Sequence, residues 1–169
     1  VNHEGDQARL PELTELASRV VDALSERGWT IATGESLTAG MVSATVATVP
    51  GASAVLRGGV VAYAPDVKTS LLGVSKEVLA RGIVSEEVAM ALAEGARINL
   101  QAQVGVGTTG AAGPDPHDGQ PAGTACLAVS TPQGSRALTI QVAGSRAQVR
   151  YGVTEAAMRE ILLALGERS

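Results

Sequence analysis

Residues 29–49 read WTIATGESLTAGMVSATVATV. The stretch opens with a short β-prone run, Trp29 to Thr33, breaks at Gly34, and continues from Thr38 as a run of small apolar residues ended by Pro50-Gly51. That order predicts a strand feeding through a tight turn into a helix that begins inside the GESLTAG segment. Backbone N–H groups at the start of such a helix lack intrahelical acceptors, so the turn is a place where an oxyanion or a phosphate is readily held. Ser36 stands in this turn. From its neighbours alone it reads as a nucleophile, as part of an anion pocket, or, with Thr38, as a plain helix cap. Two familiar motifs are excluded. A nucleophile elbow of the form G-x-S-x-G needs glycine where Thr38 stands, and a P-loop needs lysine after its last glycine, where Met41 stands.

Working outward, Leu13, Leu16, Val20 and Leu24 recur at helical spacing, predicting a helix over residues 10–27 that Gly28 terminates. Residues 1–9 read as a polar tail. A second strand is predicted over 55–64, with Gly58-Gly59 marking a bulge or a close backbone approach. Short helices follow over 66–72 and 76–80. Ser85 then caps a longer helix to about residue 100, with Glu86 and Glu87 in the dipole-favoured first turn. Three β-rich runs come next, at 103–109, 123–131 and 136–143, the last two joined by the turn Pro132-Gln133-Gly134. A final helix is predicted over 147–165. Strand-turn-helix units early and a hairpin late imply an α/β protein with a mixed sheet between helical layers. No repeat or linker divides the 169 residues, which predicts one domain over 10–169.

Composition removes several function classes. Charged residues make up 18% and the net charge is -4 without a basic block, so no nucleic-acid partner is expected. Aromatic residues are 2% with no Phe, which leaves no stacking platform for single strands. Apolar runs fall short of a bilayer span and the N-terminus lacks an apolar signal core, so no membrane partner and a cytoplasmic location are expected. The single Cys126 cannot form an internal disulfide. The two histidines, His3 and His117, sit in the polar tail and in a Pro/Gly loop, an unpromising basis for a metal site or a Ser-His-Asp triad.

If Ser36 is a nucleophile, its base must be another group. Lysine qualifies, because a desolvated lysine is partly neutral near pH 7. Lys68, five residues after Tyr63, is one of only two lysines, although taken alone it also reads as a solvated helix lysine. The closely spaced glycines of residues 108–123, TTGAAGPDPHDGQPAG, allow N–H groups to face a ligand or form a simple flexible loop. Arg146 and Arg150 lie four apart on the last helix, placed for an anion or for solvent.

Taken together and in this order, these stretches resemble the CinA C-terminal domain family. Its A-E-S-C-T-G-G is matched by Gly34 to Gly40, and its Y-S-N-E-x-K by Tyr63 to Lys68, followed by Leu72-Gly73-Val74. The later V-S-x-x-V-A is matched from Val84 to Ala89, T-G-I-A-G-P from Thr109 to Pro114, and P-x-G-T-V from Pro121 to Ala125. Its G-D-R-x-x-V-R is matched by Gly144 to Arg150. The resemblance covers residues from about 12 to 165.

The resemblance implies a three-layer α/β/α domain with a mixed sheet. It also implies the activity of the family's stand-alone members, which hydrolyse the carboxamide of nicotinamide mononucleotide to nicotinate mononucleotide and ammonia, with no metal or cofactor. By the same resemblance Ser36 is the nucleophile, Lys68 its base, and Tyr63 a neighbour that relays or orients the proton. Glu35, Thr38, Ala39, Gly40, Thr109, Gly110, Gly113, Arg146 and Arg150 are the implied substrate-binding positions. N–H groups near the first helix or the Thr109-Gly110 turn would hold the oxyanion. The chain departs from the family pattern at Leu37, Ala39, Pro65, the loop from Asp115 to Gly119, and Ser145. A non-catalytic nucleotide-binding module is the alternative expectation, and the sequence leaves homo-oligomerisation open.

Overall fold

The computed structural model describes residues 10–167; the predicted polar tail of residues 1–9 lies outside them. Among the described residues six α-helices and five strands follow one another as α1 (Leu10–Arg27), β1 (Ile31–Glu35), α2 (Met41–Ala47), β2 (Leu56–Val61), α3 (Pro65–Leu72), α4 (Lys76–Ala80), α5 (Glu86–Asn99), β3 (Val104–Gly110), β4 (Thr124–Thr131), β5 (Gly134–Gln141) and α6 (Arg146–Ala164). The strands form one mixed sheet in the order β2-β1-β3-β4-β5. β1 runs parallel to both β2 and β3, whereas β4 and β5 close the sheet as an antiparallel hairpin.

The alternation of the strand residues divides the core in two. Ile31, Val104, Val106 and Val129 pack on one face against α1, α2 and α6. Ala32 meets α3 and α5 on the other face, and Cys126 and Ala128 also pack against α5 there. This is the three-layer α/β/α arrangement. α5 lies unusually close to the sheet. A Cβ at Gly107 would fall on the carbonyl oxygen of Ala89, and one at Gly105 on that of Ala93. Glycine at these two positions of β3 is therefore a packing requirement.

Of the bulge or close approach expected at Gly58-Gly59, the bulge lies one residue earlier: Ile31 pairs with Leu56 and Ala32 with Gly58, so Arg57 is the extra residue. The close approach is at Gly59, where a Cβ would fall on Thr33 Oγ1 and Ser43 Oγ. α2 begins at Met41 instead of Thr38, because Ala39 (φ 50°) and Gly40 (φ 90°) are both left-handed and cannot join a right-handed helix. After β1 the chain crosses to β2 by way of α2, and after β2 it returns to the far side of β1 by way of α3, α4 and α5 on the opposite face. β1 is thus a topological switch point, and clefts in open α/β sheets form at the carboxyl ends of the strands flanking such a point.

Candidate active site

Ser36 is the first residue after β1, and its N–H donates to Thr108 O on β3 at 2.9 Å. That bond extends the β1–β3 pairing by one residue and fixes the serine backbone. On the other side, Ala62 N–H donates to Glu35 O at 2.8 Å, carrying the end of β2 alongside. Lys68 sits in α3, one turn before the buried Leu72, so both point inward from the same helix face. Its side chain folds back over the end of β2. Nζ donates to Ser36 Oγ at 3.0 Å and to the carbonyl oxygens of Ala62 and Tyr63, each at 2.8 Å.

Lys68 is 1% exposed and no carboxylate stands among these partners. Burial penalises its charged form and lowers its pKa from 10.5 to about 8. The three acceptors suit the three hydrogens of an ammonium. In the neutral amine, two hydrogens remain on the carbonyls and the lone pair is left facing Ser36 Oγ. The geometry therefore serves both states of a proton acceptor.

Glu35, one residue before the serine, is fully buried. Its carboxylate does not line the cleft, because six protein donors already converge on it. Oε1 accepts from Thr33 Oγ1 (2.9 Å), Ser43 N (2.9 Å) and Ser43 Oγ (3.0 Å). Oε2 accepts from Thr38 Oγ1 (2.7 Å), Gly40 N (2.9 Å) and Val42 N (3.1 Å). Glu35 thus caps α2 from the preceding strand, in place of the side chain that Gly40 lacks. The N–H groups that would have bound an oxyanion or phosphate at this helix are occupied from within. The amide hydrogens of Leu37, Ala112 and Gly113 have no acceptor among the described residues, and these residues line the cleft.

The cleft has a volume of about 590 Å³ and includes Ser36, Lys68, Tyr63, Gly113, His117 and Arg146 in its walls. Gly110 also borders it, whereas Glu35, Thr38, Ala39, Gly40, Thr109 and Arg150 do not. Thr38 is buried between Glu35 and Thr108 Oγ1 (2.7 Å). Ala39 and Gly40 form the turn ahead of α2. Thr109 Oγ1 donates to Ile83 O at 2.9 Å and fastens β3 to the segment before α5.

The two arginines part company despite their shared helix face. Arg150 donates to Leu37 O (3.1 Å) and Thr38 O (2.7 Å), clamping the turn after the nucleophile position. Arg146 reaches across the cleft to Gly113 O (3.1 Å) and Tyr63 Oη (2.5 Å), with no carboxylate partner among the described residues. Tyr63 therefore meets Lys68 through its main-chain carbonyl, and its phenol, on a side chain largely exposed, meets Arg146. Ser145, where the family pattern has an acid, is the N-cap of α6 in a capping box with Gln148. His117 is the cleft residue that sequence reasoning passed over. The glycine-rich loop that carries it reads either as facing a ligand through its N–H groups or as a simple flexible loop, with no signal for the imidazole itself.

A three-layer α/β/α domain with a buried lysine on a serine at the carboxyl ends of its parallel strands defines the structural class. The chain belongs to the CinA C-terminal domain family, whose model matches residues 13–165. It is 49% identical over 153 residues to a CinA-like protein of Anaeromyxobacter sp. (strain K), an alignment covering 89% of this chain and 38% of that protein. The chain spans only about a third of the length of the curated relatives it matches, 34% for one from Streptococcus pneumoniae. Among solved structures it is similar to a competence-damaged protein (CinA) superfamily protein from Klebsiella pneumoniae, with a TM-score of 0.87 and 29% identity, covering 91% of this chain and 98% of that one. It is also similar to the competence/damage inducible protein CihA from Agrobacterium tumefaciens, with a TM-score of 0.83 and 32% identity over 92% and 96% of the two chains.

Proposed function

We propose that this domain is an amidase that hydrolyses the carboxamide of nicotinamide mononucleotide, with Ser36 as nucleophile and Lys68 as general base. The observation that carries the reading is the 3.0 Å contact between Ser36 Oγ and a lysine that is fully buried, unpaired with any carboxylate, and lowered in pKa. A lysine kept only as a structural cation would be expected to have an acid beside it.

In the proposed sequence neutral Lys68 takes the Oγ proton as Oγ attacks the amide carbon. The carbonyl oxygen becomes an oxyanion held by N–H groups from the Leu37 and 112–113 segments. Lys68 then passes the proton to the amide nitrogen, the C–N bond breaks, and ammonia leaves an ester on Ser36. Water adds to that ester with Lys68 again as base, releasing the nicotinate nucleotide and restoring the serine. Arg146, on the cleft wall and without an acidic partner, offers a site for the 5′-phosphate. The cleft is of a size that suits a small polar ligand.

Ammonia release on incubation with nicotinamide mononucleotide tests the reading. Turnover that disappears in Ser36→Ala is expected. Binding of the nucleotide with no ammonia formed would favour the non-catalytic binding module.

A further inference from the structure

The loop after β3 contains a device that the proposed chemistry does not use. His117 N donates to Gln120 O at 3.0 Å, and Gln120 N donates to His117 O at 2.9 Å. Between them, Asp118 and Gly119 both have positive φ, 53° and 72°. This is the backbone of a type I′ turn, for which Asp-Gly is a favoured pair. The Asp118 carboxylate accepts from Val84 N at 2.9 Å, fastening the turn to the segment ahead of α5. The backbone of His117 is therefore held without help from its ring. The imidazole has no hydrogen bond or ion pair among the described residues, yet His117 shares the cleft with Ser36, Lys68 and Arg146.

We propose that His117 is a specificity-determining residue, its imidazole forming with the Arg146 guanidinium a two-donor clamp for an anionic group carried by the amide substrate. Arg146 is bonded to Gly113 O, four residues before His117 on the same loop. The two nitrogen-bearing side chains thus line one cleft, Arg146 brought in by α6 and His117 by the pinned turn. A phosphate monoester has three acceptor oxygens and takes donors from two directions at once. Asp115, the acidic residue among those lining the cleft, opposes an anion, so removing it acts in the reverse sense. The nature of the anion, a 5′-phosphate, rests on the amidase reading; the pairing of donors rests on the loop.

The experiment measures binding of nicotinamide mononucleotide and of its dephosphorylated riboside to the Ser36→Ala protein, in which the ligand is not consumed. Adding His117→Ala is expected to weaken the mononucleotide about ten- to a hundredfold, the worth of one hydrogen bond to an anion. The riboside should be unaffected, which also controls for damage to the fold. His117→Gln, which keeps an N–H donor, should retain most of the affinity, and Asp115→Asn should tighten the mononucleotide. Equal weakening of both ligands by His117→Ala, or no weakening, overturns the clamp. If the mononucleotide is preferred yet His117→Ala changes nothing, the clamp alone falls. If the Ser36→Ala protein binds neither ligand, or both equally, the clamp falls together with the substrate reading.

Discussion

At the scale of single residues the account turns on a lysine and a glutamate, both buried and used in opposite ways. Lys68 is kept without a countercharge: two carbonyls hold its hydrogens and Ser36 faces the remaining position. With its pKa lowered to about 8, the amine is roughly one-tenth neutral at pH 7. The proton-accepting form grows as pH rises, so kcat/KM for amide hydrolysis should climb about tenfold from pH 7 to a plateau above 8 to 9. Lys68→Arg should be inactive at every pH in that range, because guanidinium does not release its proton; a pH-rate profile on both proteins checks this. Glu35 is met by six donors. A glutamine there must turn its NH2 toward one set of three donors. The Oε1 side is the less costly, since two of its donors are hydroxyls that can rotate, but Ser43 N–H is still orphaned. Glu35→Gln should therefore cost about 1–3 kcal/mol in denaturant unfolding, and lower kcat by loosening the turn that carries Ser36. Scarce lysines and badly placed histidines made Lys68 a candidate in the sequence, where taken alone it also read as a solvated helix lysine; its role as base came from the family resemblance. Glu35 was expected by the resemblance among the substrate contacts; the donors that meet it instead, from Thr33, Thr38 and Ser43, come together only once the strand and helix are folded.

At the scale of elements, the turn from Ser36 to Gly40 and the seam between β3 and α5 carry the constraints. Ala39 is exposed and left-handed, a conformation that costs an L-residue about 1–2 kcal/mol relative to its right-handed form. Ala39→Gly loses no packed side chain and relieves that strain, at the expense of a more flexible unfolded chain. A net gain of about 0.5–1 kcal/mol is expected by thermal or chemical denaturation. At the seam the sign reverses. Gly107→Ala places a methyl on the α5 backbone at Ala89, a neighbour that cannot rotate away. A loss of about 3 kcal/mol, or roughly 6–12 °C in Tm, is expected from calorimetry. The glycines of β3 were visible in the sequence, but residues 103–109 read only as apolar and β-rich, with no sign of how near α5 would come. α1, by contrast, was read over the same residues the structure gives it, since four apolar residues at helical spacing and Gly28 (φ 61°) act locally. The arginines show the limit of such local rules: spacing put Arg146 and Arg150 on one face, and only the packing of α6 against the serine turn sends them to different carbonyls.

At the scale of the whole molecule, the sheet order brings the ends of β1, β2 and β3 together, and with them Ser36, the carbonyls that hold Lys68, and the glycine-rich loop that walls the cleft. The α/β class and the hairpin of β4 and β5 followed from the succession of apolar periods and turn residues. The order β2-β1-β3-β4-β5 was not readable from composition or spacing, because it depends on which strands meet after the helices cover both faces. His117 was missed for the same reason: its loop becomes a cleft wall only when Asp118 fastens it to the start of α5. The central claim is that Ser36 forms a covalent ester with the acyl part of an amide and expels ammonia. Rapid acid quench of the protein during turnover of nicotinamide mononucleotide, followed by peptide mass spectrometry, tests it most directly. The account predicts an adduct with the mass of the substrate less ammonia, confined to the peptide containing Ser36 and absent from Ser36→Ala. Ammonia release by Ser36→Ala at the wild-type rate, with no adduct on the wild-type serine, would contradict it.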